Sequence, residues 1–305
     1  MLLKEQALGG SILSGQLARH PLFVVAMFAP AVLLIVGLIL YPFLNGIALS
    51  FTDASPLYQT TNFIGLDNYV TLLDDPTFRE VVANTLEIVI GSVVVAGIIG
   101  FMLALLLDRI PAGRRTFRAL IFQGWVVPWV TIAVLWGWIF NPEYGIVNWS
   151  LRGLGLASGP IGWTTDPLLA KIVIISAFVW RIIPFMMVMA LAGLQSVPDE
   201  LLEASKIDGA SPLQRLRFVI IPICANVMLV AALLQAVRLF QEVTLPWVVT
   251  QGGPINATTT LALFTYKTAF QQWDFGLAAA IGTLWTAVLI VFASIYVKLL
   301  VRRER

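Results

Sequence analysis

The chemistry open to this chain lies in a few polar side chains set in apolar surroundings. Arg181 falls inside a run that is otherwise almost wholly hydrophobic; Gln235, Arg238 and Glu242 fall at the end of another. Ionisable groups in such runs are costly unless they face a wet cavity or one another, so each is a candidate contact for a polar ligand. The spacing of 235, 238 and 242 is i, i+3 and i+7, which predicts a single helical face. Arg238 and Glu242 admit two readings: a structural ion pair, or two groups that line a ligand pathway. Glu87 is a weaker candidate, because it lies near the edge of its own apolar run. Catalytic and metal chemistry are poorly supplied. There is one cysteine, Cys224, which excludes an internal disulfide, a CxxC pair and a multi-cysteine metal site. The one histidine, His20, stands at the edge of the first apolar run and reads as an interfacial residue.

The elements that must position these groups follow from composition. Of 305 residues, 59% are hydrophobic and 12% charged, with a mean hydropathy of +0.88. A soluble domain carries about 25% charged residues, so a soluble globular enzyme is excluded. The net charge of +2 lacks the dense basic patch that a nucleic-acid partner requires. Apolar runs of spanning length lie at about 22–50, 81–107, 119–140, 168–194, 218–240 and 277–301. They predict an all-α membrane protein with six transmembrane helices in a single domain, residues 1–305. The first run is too long for a cleaved signal peptide, and no small-residue cleavage site follows it. Pro30 and Pro42 predict kinks within it.

Of the nineteen Lys and Arg, thirteen fall on one side of these spans, four on the other, and Arg181 and Arg238 within them. The basic side is cytoplasmic by the positive-inside rule, so both termini are expected in the cytoplasm. Trp125, Trp129, Trp136, Trp138 and Trp149 read as interface anchors.

One segment on the basic side, residues 197–217, is more than a hairpin. Pro198 suits a helix start, Asp199 and Glu200 favour its positive end, and Gly209, Ser211 and Pro212 predict a tight bend. A second short helix then leads into the fifth span. By its pattern alone, this segment could be no more than an interfacial helix.

The run Glu203-Ala204-Ser205, Asp208-Gly209-Ala210 and Ile221-Pro222 resembles the EAA motif of ABC importer permeases, consensus EAAxxDGAxxxxxFxxIxLP. It is most similar to carbohydrate-uptake permeases of the maltose and glycerol-phosphate type. Ser205 replaces the second alanine, Leu216 stands where phenylalanine is usual, and Val219 and Ile221 replace isoleucine and leucine. The likeness extends to Tyr41-Pro42, to Phe63–Tyr69, to Asn84-Thr85, to Gly113-Arg114-Arg115 and to Gly252-Gly253-Pro254, where Gln251 replaces the first glycine of the family's TGGGP.

The resemblance implies a multi-pass inner-membrane subunit in contact with lipid. Its coupling helix would dock on a separate ATPase through Glu203, Ala204, Ser205, Asp208, Gly209 and Ala210. ATP and Mg would sit on two such ATPase subunits and no cofactor on this chain, which has no GxxxxGK[ST] phosphate loop. A second homologous permease and an extracytoplasmic solute-binding protein would complete the importer. The substrate pathway would run past Arg181, Phe185, Gln235, Arg238, Leu239 and Glu242, with Trp180 and Phe240 offering ring faces to a sugar. The solute would be a sugar, or a phosphorylated polyol such as glycerol-3-phosphate if the arginines stay unpaired. A self-contained secondary transporter would instead use Glu87, Arg181, Arg238 and Glu242 as an ion relay. That class commonly shows internal repeats and discontinuous helices, which are not evident here.

Overall fold

The computed structural model describes residues 21–59, 61–110 and 113–303. Lys4, Arg19, His20 and Arg305 lie outside the described residues. Among the described residues the regular elements are helices joined by turns and loops, and an isolated bridge links Thr52 and Phe63.

Two Asp-Pro steps start the two long helices at the centre of the fold. Asp75 accepts from the Thr77 amide at 2.8 Å and opens α4 (Pro76–Arg109); Asp166 accepts from the Leu169 amide at 2.9 Å and opens α8 (Pro167–Gln195). In each, the carboxylate caps a first-turn amide, and proline occupies a position whose N–H needs no partner. The two helices run parallel and close. A Cβ at Gly100 would lie 2.8 Å from Met186 Cβ and 2.9 Å from the Met187 backbone nitrogen. Small residues of this kind let membrane helices approach backbone to backbone.

Ahead of this pair, α1 (Pro21–Ile35) passes through a π-helical turn (Val36–Leu40) into α2 (Tyr41–Leu49). The same sequence of events recurs later, where α10 (Pro212–Arg215) passes through a π-helical turn (Leu216–Ile220) into α11 (Ile221–Phe240). Each wide turn ends two residues before a proline, Pro42 or Pro222. A proline ring collides with the carbonyl four residues earlier, and a widened turn relieves that collision without ending the helix. Pro30, the other expected kink, lies inside α1.

The short helices α3 (Asp67–Asp74), α7 (Ile146–Gly153), α12 (Thr244–Thr250) and α13 (Leu261–Phe270) join the spans, and α14 (Phe275–Arg303) closes the chain. At one end of the bundle, Phe78 and Val81 of α4 pack with Leu261 and Ile281. At the other, Ala104 and Leu107 pack with Met187 and Leu191. This second end carries Arg109, Lys206, Arg215 and Lys298 together.

The third apolar run departs from expectation. It is not one helix over 119–140 but α5 (Arg114–Val126) and α6 (Trp129–Ile139), which meet at 94°. Val127 and Pro128 are both extended. Proline bars its predecessor from the helical region, and it has no N–H to continue the ladder. Five helices are therefore long and apolar enough to cross a membrane, or up to six if the bent pair counts as one span, among the described residues. The helical face through 235, 238 and 242 is also cut short. α11 ends at Phe240, and Glu242 sits in the turn before α12.

Candidate functional site

Arg181 is the middle residue of α8, and beside it opens a cavity of about 350 Å³. The broken helix contributes Trp125 and Trp129 to its wall, and α8 contributes Arg181 and Ile182. The end of α11 and the turn beyond it add Gln235, Arg238, Gln241 and Glu242. The positions read from the sequence as polar outliers therefore do converge, though Glu242 arrives from a turn.

Their engagements differ. The Arg181 guanidinium carbon stands 4.9 Å from the centroid of the Trp129 ring, a cation–π contact, and Phe178 braces that ring edge-on at 5.4 Å. Arg181 Nε and Gln235 Nε2 are buried and have no hydrogen-bond partner. An unmet buried donor costs about 1–3 kcal/mol, so these are the atoms that a ligand's oxygens would satisfy. Glu242 is 9% exposed, and its Oε1 accepts from the Thr244 amide at 2.7 Å. No ion pair joins it to Arg238, which is exposed; of the two readings of these groups, the structural pair is not formed.

The remaining expected pathway residues scatter. Phe185 stacks on Trp125 at 5.8 Å, one step behind the cavity wall. Leu239 is 2% exposed in the hydrophobic core and does not reach the cavity. Phe240 is buried against Trp285 at 4.8 Å, and Trp180 leans on Trp136 at 5.3 Å. Glu87 is taken up by Lys171 at 2.5 Å.

Trp125 and Trp129, which their residue type suits to the membrane interface, both line the cavity instead. The available signal was Pro128 between them, which turns the backbone and sends the flanking rings inward.

The loop between α8 and α11 forms a second candidate site. Pro198 stands at the N-cap position of α9 (Asp199–Ile207), with Asp199 and Glu200 in the first turn and Lys206 in the last. Gly209 adopts φ +76°, and two bonds close the helix end: Ala210 N–H to Ser205 O at 3.0 Å and Gly209 N–H to Lys206 O at 3.1 Å. This is a Schellman closure, and its left-handed position suits glycine. Ser211 and Gln214 then form a reciprocal capping box for α10. Ser205, the departure from the motif's alanine, donates its hydroxyl to Leu202 O at 2.8 Å. Glu203, Ala204, Asp208 and Gly209 are exposed, Ser205 and Ala210 half-buried, and Ile207 is 86% exposed. The loop is thus fixed internally and uncovered outside.

Other matched segments are structural. Asn84 Nδ2 donates to Asn256 O at 2.8 Å, and Thr85 Oγ1 accepts from the Leu261 amide at 2.8 Å, which ties the start of α4 to the 252–261 loop. Asn68 Nδ2 donates to Ser50 O and Thr52 O at 3.0 and 2.9 Å, holding α3 against the end of α2.

The chain is similar to known proteins over most of its length. The trehalose/maltose transport system permease protein MalF of Thermococcus litoralis is 31% identical over 272 residues, 89% of this chain and 91% of that protein. The lactose transport system permease protein LacF of Rhizobium radiobacter is 34% identical over 284 residues, 91% and 93% of the two chains. Among solved structures, a chain of a bacterial alginate ABC transporter, in complex with an alginate pentasaccharide-bound periplasmic protein, superposes with a TM-score of 0.77. That match has 21% identity and covers 92% of this chain and 94% of the other. The family model for the binding-protein-dependent transport system inner membrane component matches residues 81–305. The chain belongs to that family of inner membrane transport components.

Proposed function

We propose that this chain is the permease subunit of an ATP-driven importer of a saccharide. It would form half of the translocation pathway beside a second, homologous permease. Two separate ATPase subunits would bind ATP and Mg, and an external binding protein would deliver the solute. Relatives named for trehalose, maltose and lactose transport support the substrate class. The whole chain, residues 1–305, would be one transmembrane domain of six spans, with the bent pair α5–α6 as the third. Both termini and the α9 loop would face the cytoplasm.

The observation that carries this reading is the α9 loop, rigid within itself and covered by nothing. Glu203 and Asp208 are anionic partners for arginines on an ATPase surface, Gly209 permits close backbone approach, and Ala204, Ser205 and Ala210 keep the face shallow. ATPase closure would push α9, and the push would pass along α8 and α11 to the cavity between them. The cavity's unmet donors, Arg181 Nε and Gln235 Nε2, would meet the solute's oxygens.

The test is assembly together with uptake. Glu203→Lys and Gly209→Trp should leave the chain inserted and expressed, while ATPase co-purification and uptake are lost. Normal assembly with normal uptake in both variants would contradict the docking role of this loop.

A further inference from the structure

The polar groups around the Arg181 cavity are unevenly matched. Its wall holds two guanidinium groups, Arg181 and Arg238, against one carboxylate, Glu242. That carboxylate forms no ion pair with Arg238; it is 9% exposed, its Oε1 accepts from the Thr244 amide at 2.7 Å, and its charge offsets part of that of Arg181, which leaves the wall with a net positive charge. The atoms left without partners, Arg181 Nε and Gln235 Nε2, are both donors. Arg238 adds a further exposed set of donors on the same wall.

The excess of guanidinium over carboxylate on this wall favours an acid over a neutral sugar. Each of its hydroxyls both donates and accepts, and needs acceptors as well as donors around it. A carboxylate or sulfonate only accepts, and it meets a guanidinium fork with two parallel bonds. The fork of Arg181 is also already oriented, since its contact with Trp129 at 4.9 Å holds the plane in place. Arg181 lies at the midpoint of a 29-residue helix, where salt screens a charge far less than at the surface. Trp125 and Trp129 supply apolar faces for a ring, and the amide oxygens of Gln235 and Gln241 remain for its hydroxyls.

We propose that this cavity takes an anionic saccharide, with the sugar's acidic group held by Arg181 and Arg238 and its ring against the two tryptophans. The proposal rests on the reading of the chain as a saccharide permease and names its substrate class. It assigns Trp129 a positioning role, because the ring orients the guanidinium that contacts the acid.

The experiment uses the assembled complex of both permeases and ATPases in lipid nanodiscs, without binding protein, so that only the transmembrane site is read. Uronate disaccharides, digalacturonate first, are titrated calorimetrically beside their carboxyl-reduced counterparts, which carry an uncharged hydroxymethyl group in place of each carboxylate. The acid should bind tighter than its neutral twin by about tenfold or more, the worth of a charge-assisted hydrogen bond. Arg238→Gln should reduce that preference, read as the ratio of acid to neutral affinity within the variant itself. Trp129→Leu should weaken acid binding, and Trp129→Phe should restore part of it. Equal or tighter binding of the neutral member in every pair overturns the proposal and leaves the saccharide-import reading standing. So does a preference that survives both Arg181→Gln and Arg238→Gln. Failure to bind any saccharide, acidic or neutral, overturns both. The wild-type comparison needs no substitution, so a variant that fails to fold does not rescue the proposal.

Discussion

Arg238 and Glu242 share a cavity wall without pairing, and this changes what each substitution should cost. Breaking a buried ion pair from one side costs about 3–5 kcal/mol, because the orphaned charge stays in low dielectric. No such pair is formed here, so Arg238→Ala should leave the amount of assembled complex near wild type. Glu242→Ala should lower it, since the Thr244 amide loses the acceptor that it meets at 2.7 Å, a loss of about 1–3 kcal/mol for a buried donor. The double variant should match Glu242→Ala alone. Thermal melting of the purified complex checks this, and recovery of assembly in the double variant would show that the two groups are coupled after all. Gln235 and Arg181 were legible as outliers because polar atoms in apolar runs are rare. Trp125 and Trp129 were not, because in a run where every face is apolar, composition does not separate an inward ring from an outward one.

Helix pairs set where these residues stand. α4 and α8 touch at Gly100, where an added Cβ would meet Met186 Cβ at 2.8 Å and backbone at 2.9 Å. Gly100→Leu should therefore push the helices apart and destabilise the fold by about 1–3 kcal/mol or more, as overpacking does. Gly37→Leu, in the π-helical turn between α1 and α2 where a Cβ meets nothing within 4 Å, is the control. Equal expression and melting of the two variants would contradict the close approach.

The starts of α4 and α8 were legible from their Asp-Pro steps, and the α9 loop from Pro198, Gly209 and Ser211, because capping chemistry is local. The break at Pro128 was not, since hydropathy sums side chains and ignores backbone direction; Trp, Val and Ile on both sides hide the turn. Glu242 leaves the helical face for a related reason: the helix stops at Phe240, where nothing in the apolar pattern marks its end.

At the scale of the whole molecule, the basic residues gather at the end that carries α9. If that end is cytoplasmic, cysteines placed at Arg115 and Ser211 should resist an impermeant thiol reagent in intact cells. Cysteines at Asp67 and Ile255 should react, and Ile255 is 89% exposed. The native Cys224 is buried and adds little background. Labelling of Ser211→Cys from outside would reverse the orientation. The central claim is that transport through this chain is driven by a separate ATPase through the α9 loop. The most direct measurement is saccharide accumulation in proteoliposomes that contain this chain, its partner permease and the ATPases, with binding protein outside. Accumulation should require ATP within and binding protein without, and should vanish with Glu203→Lys. Full-rate accumulation without ATP, driven by a proton or sodium gradient, would contradict the account.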